Sequence, residues 1–274
     1  MNDQQIKNEI LNILKVFDRF CSANSIKYVL AYGTLIGAIR HKGFIPWDDD
    51  VDVVITAAEY KKLREAASRS GHYLDSGKRY RIMFPGDDNY CYSFAKVIDT
   101  KYVVREKNIS DRYNIGLFID IFRSDHWPEN RIKELYQLKK GVFLRRMNDI
   151  CVRGNLTDTK YKIMDVLLKP VDLLFRIFGI TSQKICIAMD HIASGNRPGK
   201  YEGVLSEGTG WIEEKIESGF YDETVLAPFE GSMFPIPAGY DKYLTIHYGD
   251  YMALPPEEKR TGHEYDIVSI REDM

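Results

Sequence analysis

The sequence predicts an α/β (α+β) chain: a mixed sheet with flanking helices in its first part and a mainly helical second part. Three observations carry this reading. Ile6, Ile10, Ile13, Leu14, Phe17 and Cys21 recur at helical spacing and predict an amphipathic first helix. Short apolar runs bounded by Gly, Pro and Asp then follow, as strands do. From about Glu129 the pattern returns to helices, and the tail is rich in Gly, Pro and Tyr. No repeat or low-complexity tract breaks the order.

Each element can be placed in turn. After the first helix, Ile26–Tyr32 reads as a short strand that Gly33-Thr34 breaks. Thr34 suits an N-cap, so a brief helix is predicted from there to about His41. Gly43 to Asp49 forms a turn containing Pro46, and a strand runs from Asp50 to Ile55. A helix from about Ala57 to Ser70 comes next, then strands near Tyr92–Ile98, Tyr102–Glu106 and Gly116–Phe122. The predicted division is a core over residues 1–125 and a helical portion over 126–274.

Composition bounds the function. With 44% hydrophobic and 28% charged residues the chain is ordinary for a soluble globular protein. A net charge of −2 gives no broad electrostatic reason to expect nucleic acid. Cys21, Cys91, Cys151 and Cys186 are scattered without metal-ligand spacing and read as free thiols of a reducing compartment. The N-terminus lacks a basic start followed by an apolar stretch, and no run of about 18 uncharged apolar residues exists. A cytoplasmic protein is the expectation.

The chemistry concentrates in GTLIGAIRHKGFIPWDDDVDVVI, residues 33–55, which packs four aspartates into five positions ahead of an apolar strand. Strand alternation sends Asp50 and Asp52 to one side and Val51 and Val53 to the other. Two carboxylates so close repel unless a cation or basic group neutralises them. Hard oxygen ligands at this spacing suit Mg²⁺ or Mn²⁺, which then hold substrate phosphates. Alone, the same spacing also describes an exposed edge or a turn cap. Upstream, Gly33 and Thr34 sit where free backbone N–H groups can receive a phosphate, and Gly33 lets the backbone approach closely. Downstream, GLFIDIF places Asp120 alone in an apolar strand, which is costly unless it is metal-bound or paired with a buried Arg or Lys.

The segment GTLIGAIRHKGFIPWDDDVDV resembles the signature of the LicD family, within the nucleotidyltransferase-fold superfamily. FAKVIDT at 94–100, GLFIDIF at 116–122, FEGSMFPIPAGYDKYLTIHYGDYMALPP at 229–256 and KRTGH at 259–263 extend the resemblance over about 26–263, which allows one continuous domain. It implies a nucleotidyltransferase-like core. It also implies transfer of phosphocholine from CDP-choline to a cell-surface glycan or its lipid-linked precursor with release of CMP; related animal proteins, including fukutin-related protein, are implied to use CDP-ribitol. By position, Asp50 and Asp52 match the superfamily's metal-binding pair, and Asp120 matches its third carboxylate. Gly33 and Thr34 match the small-residue turn before the phosphate-binding helix, where Gly-Ser is usual.

That implied chemistry gives a divalent ion on Asp50 and Asp52 the donor's pyrophosphate, with Asp120 sharing a second ion or acting as general base. Arg40, His41 and Lys42 are candidates for donor phosphate or a solvated basic patch. Lys96, inside the apolar FAKV strand, needs an anionic partner or a path to solvent. His247, Asp250 and His263 fall within family-like segments and are read as substrate-binding or structural. Trp47 and the tyrosines are read mainly as core, with a base or a choline ammonium as the alternative. In DVLLKPVDLLFRIFGI, 165–180, Asp165, Lys169, Asp172 and Arg176 form one polar stripe on a broadly apolar helix that Pro170 should disturb or restart. Core burial is expected there, with contact at the inner membrane face as the alternative. Two other functions use the same residues: nucleotidyl transfer from an NTP, and non-catalytic binding of a glycan or nucleotide.

Overall fold

In the computed structural model the described residues are 1–154, 159–206, 215–260 and 265–270. Helix α1 (Asp3–Ala23) opens on a reciprocal cap: the Asn2 side chain accepts from the Gln5 N–H while the Gln5 side chain accepts from the Asn2 N–H. Its predicted stripe is buried as expected, with Ile6 partly so. Each fully buried Leu, Ile or Phe on it contributes about 1.5–3 kcal/mol.

The sheet comprises β1 (Val29–Leu30), β2 (Asp52–Thr56), β3 (Tyr80–Met83), β4 (Ala95–Glu106), β5 (Ile115–His126), β6 (Tyr201–Val204), β7 (Ile216–Glu217) and β10 (Tyr265–Ile270). The order β1-β2-β5-β4-β10 forms its spine; β3 pairs with β4, and β6 joins β5 to β7. Only β2 and β5 pair in parallel among these described strands. The crossover between them carries α3 (Ala57–Arg69), capped by Thr56. Helices α1 and α3 share one core with Val53, Ile55, Val97, Leu117, Ile119 and Ile121, which alternate along their strands onto one face. The intervening residues Asp52, Lys96, Phe118, Asp120 and Phe122 belong to the other face.

The second part supplies α4 (Arg131–Val152), α5 (Thr159–Ile177) and α6 (Ser182–Ser194), which pack around Leu144, Met147, Cys151, Phe175, Ile185 and Met189. A hairpin of β8 (Thr224–Phe229) and β9 (Ser232–Pro237) and α7 (Tyr240–Tyr248) follow. All four cysteines are buried and free, as the sequence suggested.

Several boundaries differ from expectation. The brief helix α2 runs Tyr32–Ile36 with Ala31 as N-cap, and a π-helical turn continues it over Gly37–His41. Thr34 is therefore inside the helix, because its hydroxyl is engaged across the chain rather than by its own turn. The acidic strand begins at Asp52, not Asp50, and the two strands expected around residue 100 form one, β4, with a register shift between Asp99 and Val104. Helix α5 continues through Pro170, which lies exposed on it. Core burial of 165–180 does not hold either: Val166, Leu167, Leu173, Leu174, Ile177 and Phe178 are exposed.

Candidate active site

The register of three strands builds the site. Asp52 on β2 stands directly opposite Asp120 on β5, and Asp120 stands opposite Lys96 on β4. Directly opposed residues point to the same face, so the sheet sets a row of two carboxylates and an ammonium across its non-core side. Lys96 Nζ donates to Asp120 Oδ1 at 2.6 Å. Lys96 faces the site rather than reaching solvent: it is 2% exposed. Three rings surround its ammonium, with centroids 3.4 Å (Phe118), 4.3 Å (Tyr92) and 5.2 Å (Phe94) away. The paired-lysine reading of Asp120 is thus realised.

Backbone bonds fix the row. The Asp120 N–H donates to the Val51 carbonyl at 2.8 Å, and the Ala31 N–H to the Asp52 carbonyl at 3.0 Å. The buried Thr34 hydroxyl accepts from the Asp52 N–H at 2.8 Å, so α2 holds the start of β2 directly. Gly33 has a close-packing reason: a Cβ there would lie 2.8 Å from Asp48 Oδ2, so it is the Asp48 carboxylate that rests against this turn. Asp50 lies in the half-buried segment entering β2, two residues before Asp52.

The other sequence candidates take different places. Arg40 donates to the carbonyls of Tyr251 at 2.7 Å and Ala253 at 3.1 Å and to His41 Nε2 at 2.8 Å, tying the C-terminal loop to the turn before the acidic stretch. Burial, followed by the neighbouring Arg40 charge, pushes the His41 pKa down. Lys42 closes the π turn in left-handed geometry with its side chain exposed, and its carbonyl accepts from the Glu230 N–H at 2.9 Å. His247 packs on the Tyr243 ring at 4.2 Å, and Asp250 is exposed, its side chain accepting from the Ala253 N–H at 3.3 Å. Trp47 packs against the core under the Arg260 guanidinium, 5.0 Å away. His263 lies outside the described residues.

Of the aromatic neighbours, the tyrosines were read from sequence only as a class and the phenylalanines not at all. Tyr92, Phe94, Phe122 and Tyr32 form a continuous series beside the row, with successive centroids 5.6, 4.7 and 5.4 Å apart. Strand period two was the available signal, since Phe118 and Phe122 flank Asp120 at i±2 and Phe94 precedes Lys96 by two. A cavity of about 210 Å³ adjoins the row through Tyr92 and Phe94 and is closed from α4 by Arg145, Asn148 and Asp149. A larger one, about 600 Å³, lies among Arg112, Asp172 and the start of α6 and shares no lining residue with the row.

Among the described residues, no group of three or more His, Cys, Asp or Glu side chains is set as a ready-made metal centre. What the fold provides is two hard oxygen donors at the start of β2, Asp50 and Asp52, with a third carboxylate, Asp120, opposite Asp52 on the adjoining strand. Hard carboxylates of this kind suit Mg²⁺ or Mn²⁺, which bind through one or two carboxylates plus substrate phosphates.

Sequence comparison bears on the family. Over 264 residues the chain is 32% identical to the lipopolysaccharide cholinephosphotransferase LicD of Haemophilus influenzae, covering 95% of each protein. The chain belongs to the LicD family. Residues 25–141 match the family model described as LicD/FKTN/FKRP, nucleotidyltransferase domain, which includes α2 and every residue of the row. Uncharacterised proteins of Rickettsia prowazekii and Rickettsia typhi are 29% and 28% identical over about half of this chain, covering 53% and 45% of their own lengths.

Proposed function

We propose that the chain transfers phosphocholine from CDP-choline to a hydroxyl of a lipopolysaccharide-type glycan, releasing CMP. The observation that carries this reading is the Asp52–Asp120–Lys96 row, in a chain alike along almost its whole length to a lipopolysaccharide cholinephosphotransferase. In the reaction the acceptor hydroxyl oxygen attacks the phosphorus that bears choline. The bond from that phosphorus to the bridging oxygen breaks, and CMP leaves with the bridging oxygen and its electron pair.

Each residue has a task. Asp120, aligned by Lys96, accepts the proton of the attacking hydroxyl. Lys96 holds that carboxylate in one orientation and offsets part of the negative charge gathered at the site. Asp50 and Asp52 are the residues that would hold Mg²⁺ or Mn²⁺, which when bound neutralises charge on the pyrophosphate. Thr34 positions Asp52 through its backbone. The Tyr92 and Phe94 faces, which already flank an ammonium, give the choline trimethylammonium a cation–π contact in the adjoining cavity, and Arg145 there suits the donor's phosphates.

A second reading, nucleotidyl transfer from an NTP, is favoured by the description of the matching domain and would use the same carboxylates. Product analysis separates the two. With CDP-choline, CDP-ribitol, CDP-glycerol and NTPs offered alongside a lipopolysaccharide acceptor, CMP from CDP-choline with choline phosphate on the glycan is the expected result. Pyrophosphate from an NTP would replace this reading with the second.

A further inference from the structure

Ten of the nineteen exposed large apolar side chains among the described residues fall between 132 and 178, on α4, α5 and the residue after α5. On α4, Ile132, Leu135, Tyr136, Lys139, Phe143 and Arg146 follow one another at i, i+3, i+4, i+7, i+11 and i+14, a single outward stripe in which Ile132 is 81% exposed. On α5, Val166, Leu173, Leu174 and Ile177 form a second stripe with Pro170, extended by Leu167 at 71% and Phe178 at 73% exposed. The helices pack together through other residues, Leu144, Met147 and Phe175, so these stripes are surplus to the protein's own core.

We propose that α4 and α5 form a docking surface for an anionic lipid bilayer. Apolar area on this scale marks an interaction site on a soluble chain, and the charge around it selects the occupant. Lys139 and Arg146 lie within the α4 stripe, and Arg131, Lys133 and Lys140 are exposed beside it. Of the two α4 carboxylates, Glu134 is engaged by Lys215 at 3.2 Å, and Asp149 lines the cavity beside Arg145. An apolar stripe interrupted by cations matches the headgroup and acyl boundary of an anionic leaflet. Across a twofold contact between two copies the same cations would face each other and repel. No described helix is long and apolar enough to cross a membrane, so the mode of contact is a helix lying on the surface. Asp172 instead lines the open cavity it shares with Arg112, away from the apolar stripe.

The test is vesicle flotation of the full chain, with no donor or acceptor present, so that failure here leaves the transferase reading untouched. Vesicles of phosphatidylcholine are compared with vesicles containing about one third phosphatidylglycerol. Partitioning to the anionic vesicles should be at least about tenfold stronger and should weaken as salt rises. The exposed double variant Leu173→Gln/Ile177→Gln should bind anionic vesicles at least about tenfold less. Lys139→Glu/Arg146→Glu should abolish the difference between the two vesicle types. Both variants should retain the wild-type melting transition. Equal partitioning to the two vesicle types, or unchanged binding by the variants, would overturn the proposal. So would a dimer that Leu173→Gln/Ile177→Gln dissolves, since that would make a second copy the occupant.

Discussion

The site turns on single contacts whose loss is measurable. Thr34 gives the Asp52 N–H its acceptor from a buried hydroxyl. Thr34→Val should cost about 1–3 kcal/mol in urea unfolding, the penalty of a stranded donor, and Thr34→Ser should restore most of it. Lys96→Met removes the ammonium that Asp120 meets at 2.6 Å and is expected to cost about 2–4 kcal/mol, below a fully buried pair because Asp120 keeps some access to water. Adding Asp120→Asn should recover part of that loss, and a double-mutant cycle reads the coupling directly. If the two losses simply add, the pair does not hold the site together. At this scale the sequence was informative where one residue broke a pattern: Asp120 and Lys96 each stand out in an apolar strand. Which cation met which carboxylate was not legible, because it depends on the register of strands about twenty residues apart. The ring series stayed hidden for the same reason.

Among the elements, α1 was legible from its amphipathic periodicity and α3 as a helical run after the acidic strand, and the structure adds the caps, Asn2 and Thr56. Strands β3, β6 and β7 were not anticipated; they are two to four residues long, too short for period two to register. The β8–β9 hairpin was masked by Pro228, Pro235 and Pro237, yet its turn is built on Glu230 and Gly231, both at positive φ. That turn supports the site from behind. Glu230 Oε1 accepts from the Phe44 N–H at 3.1 Å, just after the π turn. The π turn itself depends on Gly37, where a Cβ would fall 2.4 Å from the Gly43 carbonyl oxygen. Gly37→Ala should therefore destabilise the protein by about 2 kcal/mol or more despite alanine's better helix propensity. Gly33→Ala meets only the movable end of Asp48 and should cost less than about 1 kcal/mol. Equal losses at the two glycines would show that backbone crowding does not set the turn.

Across the whole molecule, the second half of the chain completes the sheet begun by the first: β10 extends it beside β4, and β6 joins β5. Helix α6 is joined to β5 through Arg123, which donates to Asp125 and Asp190 at 2.7 Å each. Burial, opposed by Arg123, pushes the Asp125 carboxyl up to about 6 from its ordinary 3.8. Between those values the folded chain binds more protons than the unfolded one, so this group makes stability fall as pH rises from about 4 to about 6. Chemical unfolding at both ends of that window should show the trend, and Asp125→Asn should flatten it; a trend of opposite sign would mean the pair is ionised throughout. Long-range closure of this kind is carried by no local sequence pattern, so the charged residues of the row stood out in the sequence while the sheet that aligns them did not. The measurement that tests the central claim most directly is CMP release from CDP-choline, with a lipopolysaccharide acceptor, by wild type, Asp52→Asn and Asp120→Asn at matched folded fraction. Losses of about a thousandfold or more in both variants are predicted. Near wild-type turnover in either one would contradict the assignment of the reaction to this row.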